Sequence, residues 1–428
     1  MAPPQIPRPE DYNSTKSWLA VLGASFALYS TVGYVNAFGV FQEYYAQTLL
    51  KEYTESDISW IGSVAIFLFF LLAPAAGVAV DKFGSSTLLV IGSVGQLIAI
   101  FLSSLATQYY QLFLSQSVLL GLSMAFILTP AVAVVSRRMP HRRGLALGIV
   151  IGGSSIAGVI WPILLDRLLY SDGVGFGWTM RIVGFNMLPL LAIAIITVKD
   201  VPVKKNVPAP EPNNTAVTTD ESGSDQEKPK AKSPVMEVIT NPTYAMLCGS
   251  MAFVYLGLFI PFFYISSYAV AKGVSSGTSL YLISAINASS FFGRVLPGYF
   301  ADKYGHFNIL VLGILFSGVI SLTWTAAFNL PGMIFFSLAY GFTSGTIISL
   351  QTACAAKVSK REHQGRAIGL LQGAEAIPAL IGTPISGQIL LRSGYVGLSI
   401  FTGIVLIAGG IGLTITRLRI DRKILANY

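Results

Sequence analysis

From Phe83 to Ser136, and again from Tyr304 to Ala356, the chain carries no Asp, Glu, Lys or Arg. A helix needs about 20 apolar residues to cross a bilayer, so each tract holds a pair of spans joined by a minimal turn. The rest of the chain divides the same way. Twelve apolar runs lie near 18–44, 57–80, 86–106, 110–135, 144–169, 178–198, 244–270, 276–300, 307–328, 331–355, 365–391 and 396–416. Charged residues make up only 11% of the 428, against roughly a quarter in soluble domains. The reading is an all-α membrane protein with the lipid bilayer as its partner. The first segment, MAPPQIPRPEDYNSTKS, has no apolar core of its own and does not read as a cleaved signal.

Orientation follows from the cations, which collect on the cytoplasmic side. With the N-terminus inside, 22 of the 28 Lys and Arg fall in cytoplasmic segments; Lys51, Arg167, Arg181, Lys272 and Arg392 fall outside, and Arg294 within a span. Both termini are therefore expected in the cytoplasm. The net charge of +8 is accounted for by helix ends facing an anionic leaflet and asks for no nucleic acid. From Lys199 to Thr243 the composition inverts, with seven prolines and thirteen charged residues. The expected organisation is a disordered cytoplasmic N-terminus (1–17), a six-helix bundle (18–198), a disordered linker (199–243), a second six-helix bundle (244–416) and a cytoplasmic C-terminus (417–428).

The two bundles repeat each other at one offset. GVAVDKFG returns as GYFADKYG, which pairs Gly77 with Gly298, Asp81 with Asp302, Lys82 with Lys303 and Gly84 with Gly305. Gly144, Ala146, Gly148 and Gly152 pair with Gly365, Ala367, Gly369 and Gly373, and Gly92 with Gly313, every pair 221 residues apart. Parallel six-span repeats are what an alternating-access transporter is built from. The glycine rows read as close helix packing.

A charge deep in a span costs roughly 2.5–3.5 kcal/mol on insertion scales and asks for a reason. Two residues qualify. At about 1.5 Å per residue, Arg294 lies about 12 Å in from Asp302, and Glu375 about 15 Å in from Gly365. Arg294 is read as an anchor or gate for a substrate anion, Glu375 as a protonatable group or the arginine's counter-ion; the alternative is a buried ion pair that fixes packing. Asn36 and Gln42 on span one, Tyr255, Tyr264 and Ser267 on span seven, Asn287 on span eight and Gln351 on span ten are further cavity candidates, or else hydrogen-bond between helices. An aromatic-rich span seven, from Phe253 to Tyr268, suits a bulky, partly aromatic anion or faces lipid. His141, His306 and His363 lack metal-ligand spacing, and no P-loop is present, so the chain reads as neither an enzyme nor an ATP-driven pump, with no cofactor and no metal.

At the repeated loops the chain resembles the major facilitator superfamily, whose loop between spans two and three carries Gly-x-x-x-Asp-[Arg/Lys]-x-Gly. Here that signature is Gly77, Asp81, Lys82, Gly84 and its copy Gly298, Asp302, Lys303, Gly305. The resemblance implies the major facilitator fold and an aspartate that caps or pairs with neighbouring helix ends and latches one conformation. The basic residues usual after the second glycine are replaced by Ser85 and Ser86. Finer features, NAFGVFQEYY (36–45), SDISWIGS (56–63), RRGLALGI (142–149), FIPFFYISSYA (259–269) and GRVLPGYFADKYG (293–305), resemble the fungal branch of the monocarboxylate porter family. That likeness implies secondary active transport, here of a small organic anion or secondary metabolite and most simply as efflux at the plasma membrane, with a vacuolar membrane as the other location. Uptake of a monocarboxylate and a non-transporting sensor are the alternatives, and protons are a possible coupling ion. Proton-coupled animal members carry a Lys in span one and an Asp/Arg pair in span eight. Arg294 matches that Arg, whereas Ser290 and Asn36 stand where the Asp and the Lys would be, which argues against lactate-type proton symport.

Overall fold

The computed structural model describes residues 14–53, 55–200 and 234–420. Most of the expected N-terminus, the middle of the linker and the end of the C-terminus therefore lie outside the described residues. Within them the chain is almost wholly helical. The spans are Thr15–Leu49, Glu55–Phe83, Ser85–Ser103, Tyr109–Arg138, Pro140–Tyr170 and Phe176–Thr197 in the first half. Pro242–Ala271, Ser276–Tyr304, His306–Leu322, Leu330–Val358 and the two arms of Gln364–Ile420 make the second. The last helix is continuous in hydrogen bonding but turns at Gly394, whose φ of 62° divides span eleven from span twelve.

Local chemistry sets the boundaries. Asn241 accepts from the amides of Thr243 and Tyr244 ahead of Pro242, and Asn329 accepts from Gly332 ahead of Pro331, so each caps an orphaned helix start. Spans two and three, and eight and nine, are separated by single glycines. Gly84 (φ 85°, ψ 159°) and Gly305 (φ 96°, ψ 133°) turn the chain through a region closed to other residues.

Spans one and seven are both discontinuous. The first breaks at Thr31 and again at Asn36 and Ala37; the seventh breaks at Leu258 and Phe259, ahead of Pro261. Asn36 and Gly257 are related by the 221-residue repeat, so the interruption is a property of the fold and not of one helix. Among the described residues span eight is the least apolar of the long helices, because Asn287, Ser289, Ser290 and Arg294 interrupt it.

The halves meet along two pairs of helices, span five on span eight and span two on span eleven. Under the repeat these are one contact made twice. Glycine allows the approach: a β-carbon on Gly77 would strike the carbonyl of Gly365, one on Gly144 that of Gly298, one on Gly148 that of Arg294, and one on Gly369 that of Ala73. The rows expected to pack helices closely do so, and they do so between the halves.

Candidate functional site

At the mid-depth of this interface Arg294 is 3% exposed. Its partners come from the opposite half. Nη1 donates to the Ile151 carbonyl and to Ser154 Oγ on span five, 2.6 Å each, while Nε has no acceptor among the described residues. Ser154 also receives the Asn36 side chain, whose Nδ2 lies 3.4 Å from its carbonyl. Two candidates chosen independently from the sequence thus converge on one turn of span five. Ser154 was missed, although the pair Ser154 and Ser155 set among Gly152, Gly153 and Gly158 is a polar step on an otherwise apolar helix.

Glu375 is fully buried, and no ion pair within 4 Å joins it to Arg294 among the described residues. Counting residues along each helix places both at similar depth but leaves the direction around the helix open; Arg294 turns to span five, and Glu375 turns to span seven. The carboxyl faces Tyr244, Cys248 and Tyr255. The Tyr255 hydroxyl is the polar group set toward it, although neither carboxylate oxygen is in a well-aligned hydrogen bond among the described residues. Tyr255 accepts from Gln351 Nε2 and stacks edge-on against Phe70 of the first half, ring centroids 5.8 Å apart. Near by, Thr129 and Gln372 approach across the halves at 3.4 Å.

The remaining candidates spread along the path. Asn287 is buried and donates to Ile283, its Oδ1 2.9 Å from where a side chain on Gly158 would begin. Asn36 is exposed, Gln42 and Tyr264 are half-buried, and Ser267 is exposed with its hydroxyl on the Tyr264 carbonyl. Span seven's aromatics divide: Tyr255 and Tyr268 are buried, Phe253 and Phe263 are more than half exposed, and Tyr268 packs with Trp324 and Tyr395. No group of three His, Cys, Asp or Glu that could hold a metal occurs among the described residues.

At one end of the bundle the two repeated loops clasp the opposite halves. Asp81 receives the amides of Gly365 (3.2 Å) and Arg366 (2.9 Å) at the start of span eleven, with the Arg366 and Arg137 guanidiniums at 3.7 and 3.9 Å. Asp302 receives the amides of Gly144 (2.7 Å) and Leu145 (2.9 Å) at the start of span five, and His306 Nε2 at 3.0 Å. Each carboxylate therefore sits on a helix N-terminus, where orphaned amides and the helix dipole both favour negative charge. Lys82 and Lys303 take no part in either cluster and lie over the rings of Phe83 and Tyr304. Asp200, in the stretch expected to be linker, caps Ser85 at 2.8 Å and pairs with Arg137 at 3.4 Å. The halves are clasped at this end, while Asn36 and Ser267 toward the other end are exposed.

Two parallel six-helix halves, discontinuous first helices in each, and a buried polar centre between them define a secondary transporter of the alternating-access type. The match with known families agrees: the Major Facilitator Superfamily model covers residues 18–328 and 296–424, and the chain belongs to that family. An MFS-type transporter of Aspergillus fumigatus is 48% identical over 96% of this chain and 94% of its own. The agnestins efflux protein of Paecilomyces divaricatus is 42% identical, covering 95% and 88%, and the aspyridones efflux protein of Emericella nidulans 34%, covering 96% and 80%. Among solved structures, the transporter FucP in the outward conformation superposes with a TM-score of 0.70 over 95% of this chain and 99% of that one, at 14% identity. The protein is a multi-pass membrane transporter.

Proposed function

We propose that the protein exports a small organic anion or secondary metabolite across the plasma membrane, with the end that carries Asp81 and Asp302 in the cytoplasm. The observation that carries this reading is the capture of Arg294 by Ile151 and Ser154 while that end is shut. In the closed state the guanidinium is spent on the opposite half, and an anion has nothing to hold it. Rocking the halves apart at the cytoplasmic end separates span five from span eight, frees Arg294 and offers it to a carboxylate, for which its planar fork is suited. Closure returns Arg294 to Ser154 and expels the anion outward. Affinity that is high inside and low outside is the property an exporter needs.

Support for efflux comes from relatives named for the efflux of agnestins, aspyridones and fujikurins, and support for an acid from the resemblance of segments such as 36–45 and 293–305 to monocarboxylate porters. Glu375 is the proton site in this scheme. An unpaired carboxylate buried in a span is costly, so a carboxyl without a cation is the group to load and unload a proton as the cavity opens. Asp81 and Asp302 act as the paired latches of the closed state, and Gly77, Gly84, Gly298 and Gly305 shape their loops.

Flux into inside-out vesicles, with small aromatic carboxylates as probes, tests the proposal. Saturable, time-dependent uptake that Arg294→Gln abolishes in a normally inserted protein is expected; Glu375→Gln should flatten the dependence on a proton gradient and leave the order of substrates unchanged. Binding without flux would reassign the chain as a sensor, and normal flux through Arg294→Gln would remove the anion site.

A further inference from the structure

The hydroxyl set toward Glu375 belongs to a ring that packs on the opposite half. Tyr255 is 3% exposed, and its oxygen accepts from Gln351 Nε2 of span ten, which leaves its O–H for Glu375. The ring stands edge-on to Phe70 of span two, 5.8 Å between centroids and 87° between planes, and packs against Phe259 of its own span. Phe70 lies eleven residues before Asp81, about 16 Å along span two, and Glu375 ten after Gly365, about 15 Å along span eleven, so ring and carboxyl share one depth. Spans two and eleven leave no slack there: a β-carbon on Gly369 would meet the Ala73 carbonyl, and one on Gly373 the ring of Pro74.

The titratable and charged groups around the carboxyl come from two helices. Span seven presents Tyr244, whose hydroxyl donates to the Ala367 carbonyl, Cys248 beside it, and Tyr255. Arg294 of span eight interacts with Tyr255 but is bonded to Ile151 and Ser154. Span two offers Phe70, Ala73 and Pro74, span ten offers Gln351, and Thr129 of span four meets Gln372; none of these titrates. Tyr255 therefore interacts with Glu375, with Arg294 and with the other half at once. It also stands three residues before the break at Leu258 and Phe259, where span seven has room to adjust. The hydrogen bond that a small turn of its side chain would complete is left unmade in the closed state.

We infer that Tyr255 couples the position of the halves to the proton on Glu375: Phe70 and Gln351 hold its hydroxyl off the carboxyl while the halves are closed, and it donates to the carboxylate once Phe70 withdraws. This rests on the reading of Glu375 as the proton site. A buried carboxyl without a donor keeps its proton, because burial disfavours the charged form. Given a donor, it passes that proton to water in the opened cavity, while Tyr255 retains its own. With the Asp81 end in the cytoplasm, the proton is taken up from outside and released inside, against the outward movement of substrate. Tyr255, expected from the sequence to contact a ligand, becomes the link between an anion site and a proton site that are beyond ion-pair reach of each other.

The test reads protonation directly, on the full-length protein in nanodiscs with no substrate added. The signal is the carbonyl stretch of the protonated carboxyl in infrared difference spectra, followed against pH and assigned to Glu375 by its loss in Glu375→Gln. Opening is imposed by combining Asp81→Asn with Asp302→Asn at the clasped end. The midpoint of the band is expected to fall by about one unit or more on opening, since a hydrogen bond to a charged group contributes about that much. Tyr255→Phe, which keeps the ring on Phe70, should abolish the fall. Phe70→Leu with both latches intact should lower the midpoint as well, and Tyr255→Phe should leave the order of small aromatic carboxylates in flux unchanged. A fall that persists in Tyr255→Phe would be the electrostatic effect of the two lost aspartates and would overturn the inference while leaving Glu375 as the proton site. A midpoint that does not move on opening, indifference to Phe70→Leu, or a changed order of carboxylates would do the same. If Glu375→Gln removes no titrating band, both readings fall together.

Discussion

Arg294 has one guanidinium nitrogen committed to two acceptors on span five, and this makes Ser154 the residue to perturb. A hydrogen bond to a charged group contributes about 1.5–3 kcal/mol, so Ser154→Ala weakens the hold on Arg294 by that order. If Ser154 competes with the substrate, the variant should bind anion from the cytoplasmic side about tenfold more tightly and release it more slowly, with turnover reduced. Were Ser154 only a packing residue, affinity would fall or stay the same; the direction of the change in apparent KM decides. Arg294→Lys keeps the charge, loses the fork and should weaken affinity more than expression. Sequence alone could single out Arg294, because an arginine within a span is conspicuous. It could not find Ser154, since a serine in a glycine-rich helix carries no charge to advertise a partner 140 positions away. Of the two roles open to Glu375, protonatable group or counter-ion to Arg294, residue counting could not choose, because it fixes depth whereas partner choice depends on helix azimuth.

Among the helices, those that carry the candidate site break the rules of a regular span. Spans one and seven are interrupted at repeat-related positions, and span eight is the least apolar of the long helices. The apolar runs and the 221-residue repeat made the twelve spans legible, while the breaks in spans one and seven depend on tertiary packing that a hydropathy window averages away. Two substitutions probe this level. Gly148→Val places its side chain against the carbonyl of Arg294 and should pry span five from span eight, leaving insertion normal but disfavouring the closed state; loss of flux with normal surface expression is the expected result. Gly84→Ala forces a β-carbon onto a backbone at φ 85°, ψ 159°, costing about 1–3 kcal/mol, and should lower the unfolding temperature of the solubilised protein without altering substrate preference. Equal effects of the two on both measurements would undo the distinction between an interface glycine and a turn glycine.

At the scale of the molecule, what joins the halves is a set of direct contacts that do not need a covalent tether. Asp81 reaches the start of span eleven, Asp302 the start of span five, Arg361 the carbonyl of Arg137, and Arg294 the turn at Ser154. Residues 201–233 lie outside the described residues, whereas Asp200 just before them caps span three and pairs with Arg137. The position of a cut therefore matters. Chains severed after Asp200 and before Pro234, then expressed together, should assemble and keep a substantial fraction of flux, because the two helix-pair contacts survive and only the effective concentration that the tether supplies is lost. Asp200→Ala in the intact chain should do more harm than that cut. It strands the Ser85 amide and returns Arg137 to Asp81 alone, weakening the first latch while the second, with His306 on Asp302, is untouched. The readout is flux normalised to assembled protein, with co-purification of the halves as the control. Full loss of flux from correctly paired halves, together with normal flux in Asp200→Ala, would mean that the tether drives the rocking and that the docked aspartate is ornamental.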